Sequence, residues 1–360
     1  MLEITLAVVA YNEEKYLPKL LSDVKKQNYP HELIEIVFVD SASTDSTKSI
    51  MEQFGAESDF KNVVICDNPK KRLACGCNVA ISAFNTDAFV RVDAHARIPE
   101  DFILECVRAL EGYKGPVDET RETAASDMIS PEYAAGGVRP TACETTDGWS
   151  KTLLMAEDSM FGSSISRARR TGGEGEYVDS IFHVALRREV LEKCGGFRED
   201  LGRTEDNEFY YRLRKNGYKI YKSPYIYSEQ YIRPTLRKML KQKAGNGYWV
   251  GRTLGIVPGC ISIYHLVPCA FVLTIAGVSV LAVLGHPWLM RLLAGLYGSV
   301  SVLMALFAVF GMQRENKKVS ITAVALPVIF FMLHVVYGAG SILGLCSIPF
   351  GRNRHTKKRG

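Results

Sequence analysis

The sequence predicts an α/β domain with a mixed, mainly parallel sheet, followed by an α-helical membrane region. Three observations carry this. Strand-like and helix-like segments alternate at short spacing from Leu2 to Asp93, the pattern of parallel strands joined by right-handed crossovers. Three long apolar runs follow between residues 261 and 346. Each polar cluster of the first half comes directly after a strand-like run, where open parallel sheets bind their ligands.

The elements follow in order. Leu2 to Ala10 reads as a strand and ends in Tyr11-Asn12-Glu13-Glu14. Tyr16, Leu17, Leu20, Leu21 and Val24 then recur at helical spacing, and Pro30 closes the unit. Ile34 to Asp40 is a mostly apolar run, as in a strand buried on both faces. The polar turn Ser41 to Thr47 leads into a second helix; Asp40 and Asp45 in it suit hydrogen bonding to a ligand or plain N-capping. Val63 to Cys66 is a third strand, followed by a loop with Asn68, Lys70, Lys71 and Arg72 and a helix from about Gly76 to Phe84. Thr86 to Val90 then enters the core and exits in Arg91-Val92-Asp93-Ala94-His95-Ala96-Arg97.

Asp93 and His95 are two apart on extended backbone, so they share one side of the chain. A carboxylate oxygen and an imidazole nitrogen suit a divalent cation such as Mn²⁺ or Mg²⁺, with substrate phosphates completing the coordination. Two polar caps on a strand end are the plainer alternative. The rim chemistry suits a sugar nucleotide: Asp40 for the base or ribose, Lys71 or Arg72 for the base or diphosphate. Neither a Walker loop nor a Gly-x-Gly-x-x-Gly follows a strand.

Composition agrees with a divided chain. The 360 residues carry a net charge of +5, and a mean hydropathy near zero averages a charged first half with an apolar stretch from about 260. Basic residues collect beside the apolar runs and in the tail Arg352 to Arg359, which favours an anionic membrane surface over nucleic acid, or is simply a solvated end. Nine scattered cysteines argue for reduced thiols rather than a disulfide framework. The first residues already read as a strand, without the pattern of a cleaved signal peptide.

Beyond residue 112 the chain turns polar and flexible, then Ala134 to Val138 reads as a short strand returning to the site. A helix begins at Asp147-Gly148-Trp149 and runs to about Ser159; Trp149 suits sugar stacking or a partly buried anchor. Phe161 to Ser164 and Thr171 to Glu176 form a Gly-rich stretch, either a mobile acceptor-side loop or a plain surface loop. Val178 to Leu186 reads as one or two strands, Arg187 starts a helix, and Gly195-Gly196-Phe197 ends it. Thr204-Glu205-Asp206 then opens a helix that closes at Asn216-Gly217. Carboxylates there face the positive end of the helix dipole, which favours the ionised form, and an ionised carboxylate at the rim can take a proton from an acceptor hydroxyl. An N-cap with acidic first-turn residues looks the same in sequence.

These motifs, in this order, resemble the family 2 glycosyltransferases, whose nucleotide-sugar-binding domain has the GT-A fold. The matching pieces are Ala10 to Glu14, Val39 to Asp45, Asp93-Ala94-His95 in the place of the family's Asp-x-Asp, and Thr204-Glu205-Asp206. The run Arg91 to Ala96 with Pro99 is most similar to the bacterial exopolysaccharide enzymes of the succinoglycan type. The resemblance implies inverting transfer from a UDP-sugar, with glucose as the family-derived choice, to a hydroxyl of a polyprenyl-diphosphate-linked saccharide. It implies a divalent metal (Mn²⁺ or Mg²⁺) on Asp93 and His95, and Asp206 as general base with Glu205 orienting it or the acceptor. The donor-site set is then Ala10, Tyr11, Asn12, Glu13, Asp40, Arg72, Asn78 and Asp93. Acceptor candidates are Asp179, Gln242 and Trp249. Gln242 to Trp249 departs from the family's Gln-x-x-Arg-Trp, lacking the Arg, which argues against a processive polymerase. A polyprenyl-phosphate sugar synthase and a non-catalytic nucleotide-sugar-binding scaffold stay open as alternatives.

The expected division is a catalytic domain over 1–230, an amphipathic interface segment over 231–260, membrane helices over 261–346 and a basic tail over 347–360. Each apolar run exceeds the roughly 20 residues that a bilayer core demands. Arg233, Arg237, Lys238, Lys241 and Lys243 with Leu236, Met239 and Leu240 suggest a basic interfacial helix. That basic face sets the catalytic domain in the cytoplasm of a multi-pass protein of the bacterial inner membrane. A third full crossing then leaves the basic tail outside, against the positive-inside rule; Pro327 with Gly338, Gly340 and Gly344 permits a re-entrant last segment, so two or three crossings stay open.

Overall fold

The computed structural model describes residues 1–115, 131–145, 147–162, 174–314 and 319–348. Most of the Gly-rich stretch before Glu174, residues 315–318 and the tail beyond Ile348 lie outside them. In chain order the first elements are β1 (Ile4–Ala10), α1 (Leu17–Val24), β2 (Ile34–Asp40), α2 (Thr47–Glu57), β3 (Asn62–Asp67), α3 (Leu73–Ala83), β4 (Ala88–Asp93), β5 (Ala96–Arg97) and α4 (Phe102–Glu111). Next come β6 (Ala134–Val138), β7 (Thr141–Ala142), α5 (Gly148–Asp158), β8 (Glu176–Val178), β9 (Phe182–Arg187), α6 (Arg188–Cys194), α7 (Glu205–Lys215), β10 (Ile220–Tyr227) and β11 (Glu229–Tyr231). The chain ends in α8 (Leu236–Leu254), α9 (Val267–Val283), α10 (Trp288–Arg314) and α11 (Leu326–Cys346). All nine cysteines are free thiols.

Two compact units form, one from Met1–Pro140 with Arg167–Gln230 and one from Thr141–Ser166 with Tyr231–Gly360. The first is built on an eight-stranded sheet in the order β3-β2-β1-β4-β9-β6-β10-β8. β3, β2, β1 and β4 run parallel. β9 runs against both its neighbours, β4 and β6, β10 lies parallel to β6, and β8 is antiparallel to β10. Alternate residues of β1 feed two cores. Ile4, Leu6 and Val8 pack with α1, α2 and α4 on one face, and Ala7 packs with α3, α6 and α7 on the other. Every residue of β2 is buried, as its apolar run demands. The register sets Ala10 beside Asp40, and Val9 beside Asp93, so the ends of β1, β2 and β4 form one rim.

The second unit includes residues 141–162, which lie within the span 1–230 expected for the catalytic domain. The physical reason is the apolar face of α5: Leu153, Leu154, Met155 and Ala156 pack with Ile232, Met239, Leu326, Ile329 and Phe330. Among the described residues, three helical stretches are long and apolar enough to cross a membrane: Ile263–Val283, Trp288–Gln313 and Ile321–Cys346. Leu296, Phe307, Phe310, Val280 and Val328 are exposed on them, a surface suited to lipid rather than water. The expected basic helix is α8, with Arg237, Lys238 and Lys241 exposed; Lys243 is instead buried in a 3.0 Å pair with Glu157.

α11 runs unbroken through its glycines, which permit a close helix contact. Gly247 and Gly251 of α8 face Gly340 and Gly344 of α11 so closely that a Cβ on any of the four would sit 2.0–2.4 Å from a backbone oxygen of the other helix. Small residues spaced four apart allow this approach. Gly344→Ala is therefore expected to lower the thermal midpoint, at a cost of about 1–3 kcal/mol from overpacking. Gly277→Ala on α9, with nothing within 4 Å of its Cβ position, is expected to be neutral or stabilising, because alanine favours a helix. Equal melting of the two variants would disprove the contact.

Candidate active site

The rim starts with the loop after β1. Asn12 takes the left-handed conformation (φ 54°), which asparagine tolerates better than most residues. Its Oδ1 accepts from Thr44 N at 2.8 Å and its N donates to Ser43 Oγ at 3.0 Å. Glu13 N donates to Thr47 Oγ1 at 2.8 Å. The loops after β1 and β2 are thus bolted together. Asp40 is buried and accepts from Ser43 N at 3.2 Å, while Asp45 accepts from Thr47 N at 3.0 Å; in Asp45 the turn-forming alternative is the observed geometry. Tyr11, beside them, is exposed.

Asp93, at the end of β4, is the most connected carboxylate of the rim. Its Oδ1 accepts from Arg91 Nη2 at 3.3 Å and its Oδ2 from Gln230 Nε2 at 3.1 Å. Burial works against its charge, but neighbouring His183 and the Arg91 guanidinium outweigh that and hold it well below the usual carboxylate range. His95 Nδ1 donates to Glu13 Oε1 at 3.1 Å, which leaves the Nε2 lone pair to accept from Gln230 Nε2 at 2.8 Å. A carboxylate oriented behind an imidazole in this way is the usual support of a metal-ligating histidine. No three His, Cys, Asp or Glu side chains among the described residues form a preassembled metal cluster. The donor set nevertheless fits a divalent cation, because an ionised oxygen and an imidazole lone pair converge on one point.

Two further groups surround Asp93. His183 on β9, in the left-handed conformation (φ 48°), has Nδ1 on Ser228 Oγ at 2.7 Å and places its buried Nε2 3.6 Å from Asp93 Oδ2. Burial pushes its pKa down, so it is neutral. Arg139, buried after β6, lies 4.0 Å from the same oxygen.

The helix start of α7 comes to this place. Asp206 Oδ1 accepts from Arg91 Nη1 at 2.8 Å, so one guanidinium spans Asp93 and Asp206. Arg91 also lies 5.8 Å over the ring of Phe197. Glu205 is buried, with Oε2 lacking a hydrogen-bond partner, and burial together with repulsion from Asp206 pushes it up to about 7. The sign follows. A carboxyl raised in the folded state stabilises the fold while protonated, fully below its ordinary value near 4.3, and that contribution fades as pH rises through about 7. Glu205→Gln is therefore expected to gain on the wild type by about 2 kcal/mol between pH 5 and pH 8, read from thermal melts. A pH-independent difference would place the Glu205 titration outside this range.

Asn78 of α3 has its amide committed to the turn before Phe197: Nδ2 donates to Phe197 O at 2.8 Å and Oδ1 accepts from Phe197 N at 2.7 Å. It lines a cavity of about 430 Å³ with Asn68, Lys70 and Glu199. Arg72 donates to Glu199 O at 3.0 Å. Asp179 is exposed and pairs with Arg214 at 3.5 Å, apart from the carboxylates above. Gln242 and Trp249 lie on α8 in the second unit, where Arg252 stacks over Trp249 at 5.7 Å.

Sequence reasoning missed Arg91, Arg139, His183 and Gln230. Arg91 had a readable signal, since it lies two residues before Asp93 and so on the same side of β4. The others come from distant segments and carry no local mark.

Comparison with known proteins bears on the family and the fold. The family model described as Glycosyl transferase family 2 matches residues 5–195. A Methanococcus voltae protein is 25% identical over 344 residues, 95% of this chain and 97% of its own length; it is named dolichyl N-acetyl-alpha-D-glucosaminyl phosphate 3-beta-D-2,3-diacetamido-2,3-dideoxy-beta-D-glucuronosyltransferase. The succinoglycan biosynthesis protein ExoA of Rhizobium meliloti (strain 1021) is 26% identical over 244 residues, 67% of each chain. Among solved structures, the mannosyltransferase PcManGT from Pyrobaculum calidifontis, in complex with GDP-Man and Mn²⁺, superposes with a TM-score of 0.56 at 16% identity, covering 95% of this chain and 87% of that one. The chain belongs to glycosyl transferase family 2 and has the GT-A fold, with three C-terminal helices apolar enough for a membrane.

Proposed function

We propose that the protein is an inverting, metal-dependent hexosyltransferase that moves a sugar from a UDP-sugar to a hydroxyl of a polyprenyl-diphosphate-linked saccharide. The single observation that carries this is the Arg91 guanidinium, which holds Asp93 at 3.3 Å and Asp206 at 2.8 Å. A donor-side carboxylate and a candidate base thereby flank one reaction centre.

Asp93 and His95 would hold the cation, which when bound neutralises charge on the departing nucleoside diphosphate. Asp40, the loop around Asn12 and Glu13, and Arg72 bind the nucleotide, and Asn78 keeps the Phe197 turn in place. Asp206 accepts the proton of the acceptor hydroxyl as it attacks the anomeric carbon from the face opposite the leaving group. Glu205, pushed up to about 7 by burial and by Asp206, orients Asp206. Asp179, Gln242 and Trp249 are kept as acceptor-side candidates. The name of the Methanococcus voltae relative supports a lipid-carried sugar as acceptor. Between Gln230 and Gly360, Glu315 is the single acid against fifteen Lys and Arg, which supports a cell-membrane location with the catalytic domain on the cytoplasmic side.

The test is nucleotide release by membranes carrying the protein, with Mn²⁺ or Mg²⁺, across UDP-, GDP- and dTDP-sugars and with lipid extract or bare polyprenyl phosphate. Metal-dependent UDP release that needs lipid-linked saccharide is the expected result. Release onto bare polyprenyl phosphate points to the sugar-phosphate synthase, and nucleotide binding without turnover to the scaffold.

A further inference from the structure

We infer that Gln230 controls divalent-cation binding at Asp93 and His95, because its carboxamide nitrogen sits where their lone pairs converge. This rests on the metal-dependent reading above and goes beyond it by assigning the residue that a cation must displace.

The geometry is self-consistent. Gln230 Nε2 lies 3.1 Å from Asp93 Oδ2 and 2.8 Å from His95 Nε2. Arg139 donates to Gln230 Oε1, which turns the amide nitrogen, and not the oxygen, toward the two donors. His95 is oriented to accept, because its Nδ1 side faces Glu13 at 3.1 Å. The amide therefore acts as an internal, uncharged stand-in that satisfies both lone pairs with its two N–H groups. A divalent ion bound to the same atoms sits about 2.0–2.2 Å from each. At that separation the ion and the amide nitrogen overlap, so one excludes the other.

The backbone at Gln230 is held by pairing with Ala96 of β5 and by its N–H to Pro140 O at 3.3 Å. Exchange is therefore a side-chain motion: the carboxamide swings off the donors and leaves Arg139. Three hydrogen bonds, to the ionised Asp93, to His95 and from Arg139, are given up for each ion bound, so Gln230 weakens cation affinity.

The experiment measures Mn²⁺ affinity directly, from loss of the free-ion EPR signal, on the full-length protein in detergent with and without UDP. Gln230→Met keeps the side-chain volume and removes the donor, and Gln230→Ala removes both. Each is expected to bind Mn²⁺ at least about tenfold tighter than the wild type without UDP. Asp93→Asn should abolish binding in every background, which ties the signal to this position. Thermal melts identify any variant that fails to fold, and the other then decides. Weaker binding by the folded variants would make Gln230 a ligand through Oε1 and overturn the inference, and unchanged affinity would also overturn it. No Mn²⁺ binding by any form, with sugar transfer undiminished in EDTA, would instead remove the metal-dependent reading itself and this inference with it.

Discussion

Asp206→Asn is expected to leave a folded protein whose sugar transfer falls by about 10²–10⁴, the usual worth of a general base. Asparagine keeps the shape, and its Oδ1 can still accept from Arg91, so the tie that holds the start of α7 to β4 survives in weakened form. What is lost is the capacity to take a proton. With the donor placed as proposed at the ends of β1, β2 and β4, its KM should change little while kcat carries the loss. Initial rates of UDP release over a range of donor concentrations separate the two. A variant that keeps most of its turnover would show that the acceptor arrives already ionised, as a lipid phosphate does, and the hydroxyl-acceptor reading would fall.

Arg91→Met is expected to have the largest effect on stability. The Arg91 side chain is 12% exposed and neutralises two carboxylates at once. Methionine fills similar volume but leaves Asp93 and Asp206 without their shared cation. Breaking an enclosed pair from one side costs about 3–5 kcal/mol, and the residual exposure of Asp206 argues for the lower end. The pH dependence carries the sign. Asp93 is depressed in the folded protein, so its contribution is present above the ordinary carboxylate value near 3.9 and is lost as pH falls through the folded value. The gap between wild type and variant should therefore be widest near neutrality and narrow in acid. Thermal melts at pH 7 and at about pH 2, below the ordinary carboxylate value, check this, and a gap that is small at pH 7 would mean that the guanidinium is not what holds the carboxylates together.

The first four strands were legible because each signal is local. β2 is a mostly apolar run between a proline and a polar turn, and β1 alternates its residues between two cores. Position at a strand exit, as for Asp93 and His95, is readable in the same way. β10 was harder: Pro224 interrupts Ile220–Tyr227, and its pairing with β6 shifts register between Ser223 and Tyr227. The allocation of α5 was not legible, because an amphipathic helix shows that it has an apolar face but not which surface covers it.

The amino-acid sequence by itself determined the strand and helix alternation of the first half, the carboxylates at the strand exit and at the start of α7, and the three apolar runs. All of these follow from periodicity and composition within windows of 10 to 20 residues. Only the tertiary structure decided how the site is wired. β9 inserts antiparallel between β4 and β6, and brings His183 to Asp93. β11 pairs with β5 and carries Gln230 to Asp93 and His95, where Arg139 meets it. Arg91 joins Asp206 across 115 residues of chain. Strand order depends on the relative free energies of competing long-range pairings, and no local pattern of side chains encodes that difference.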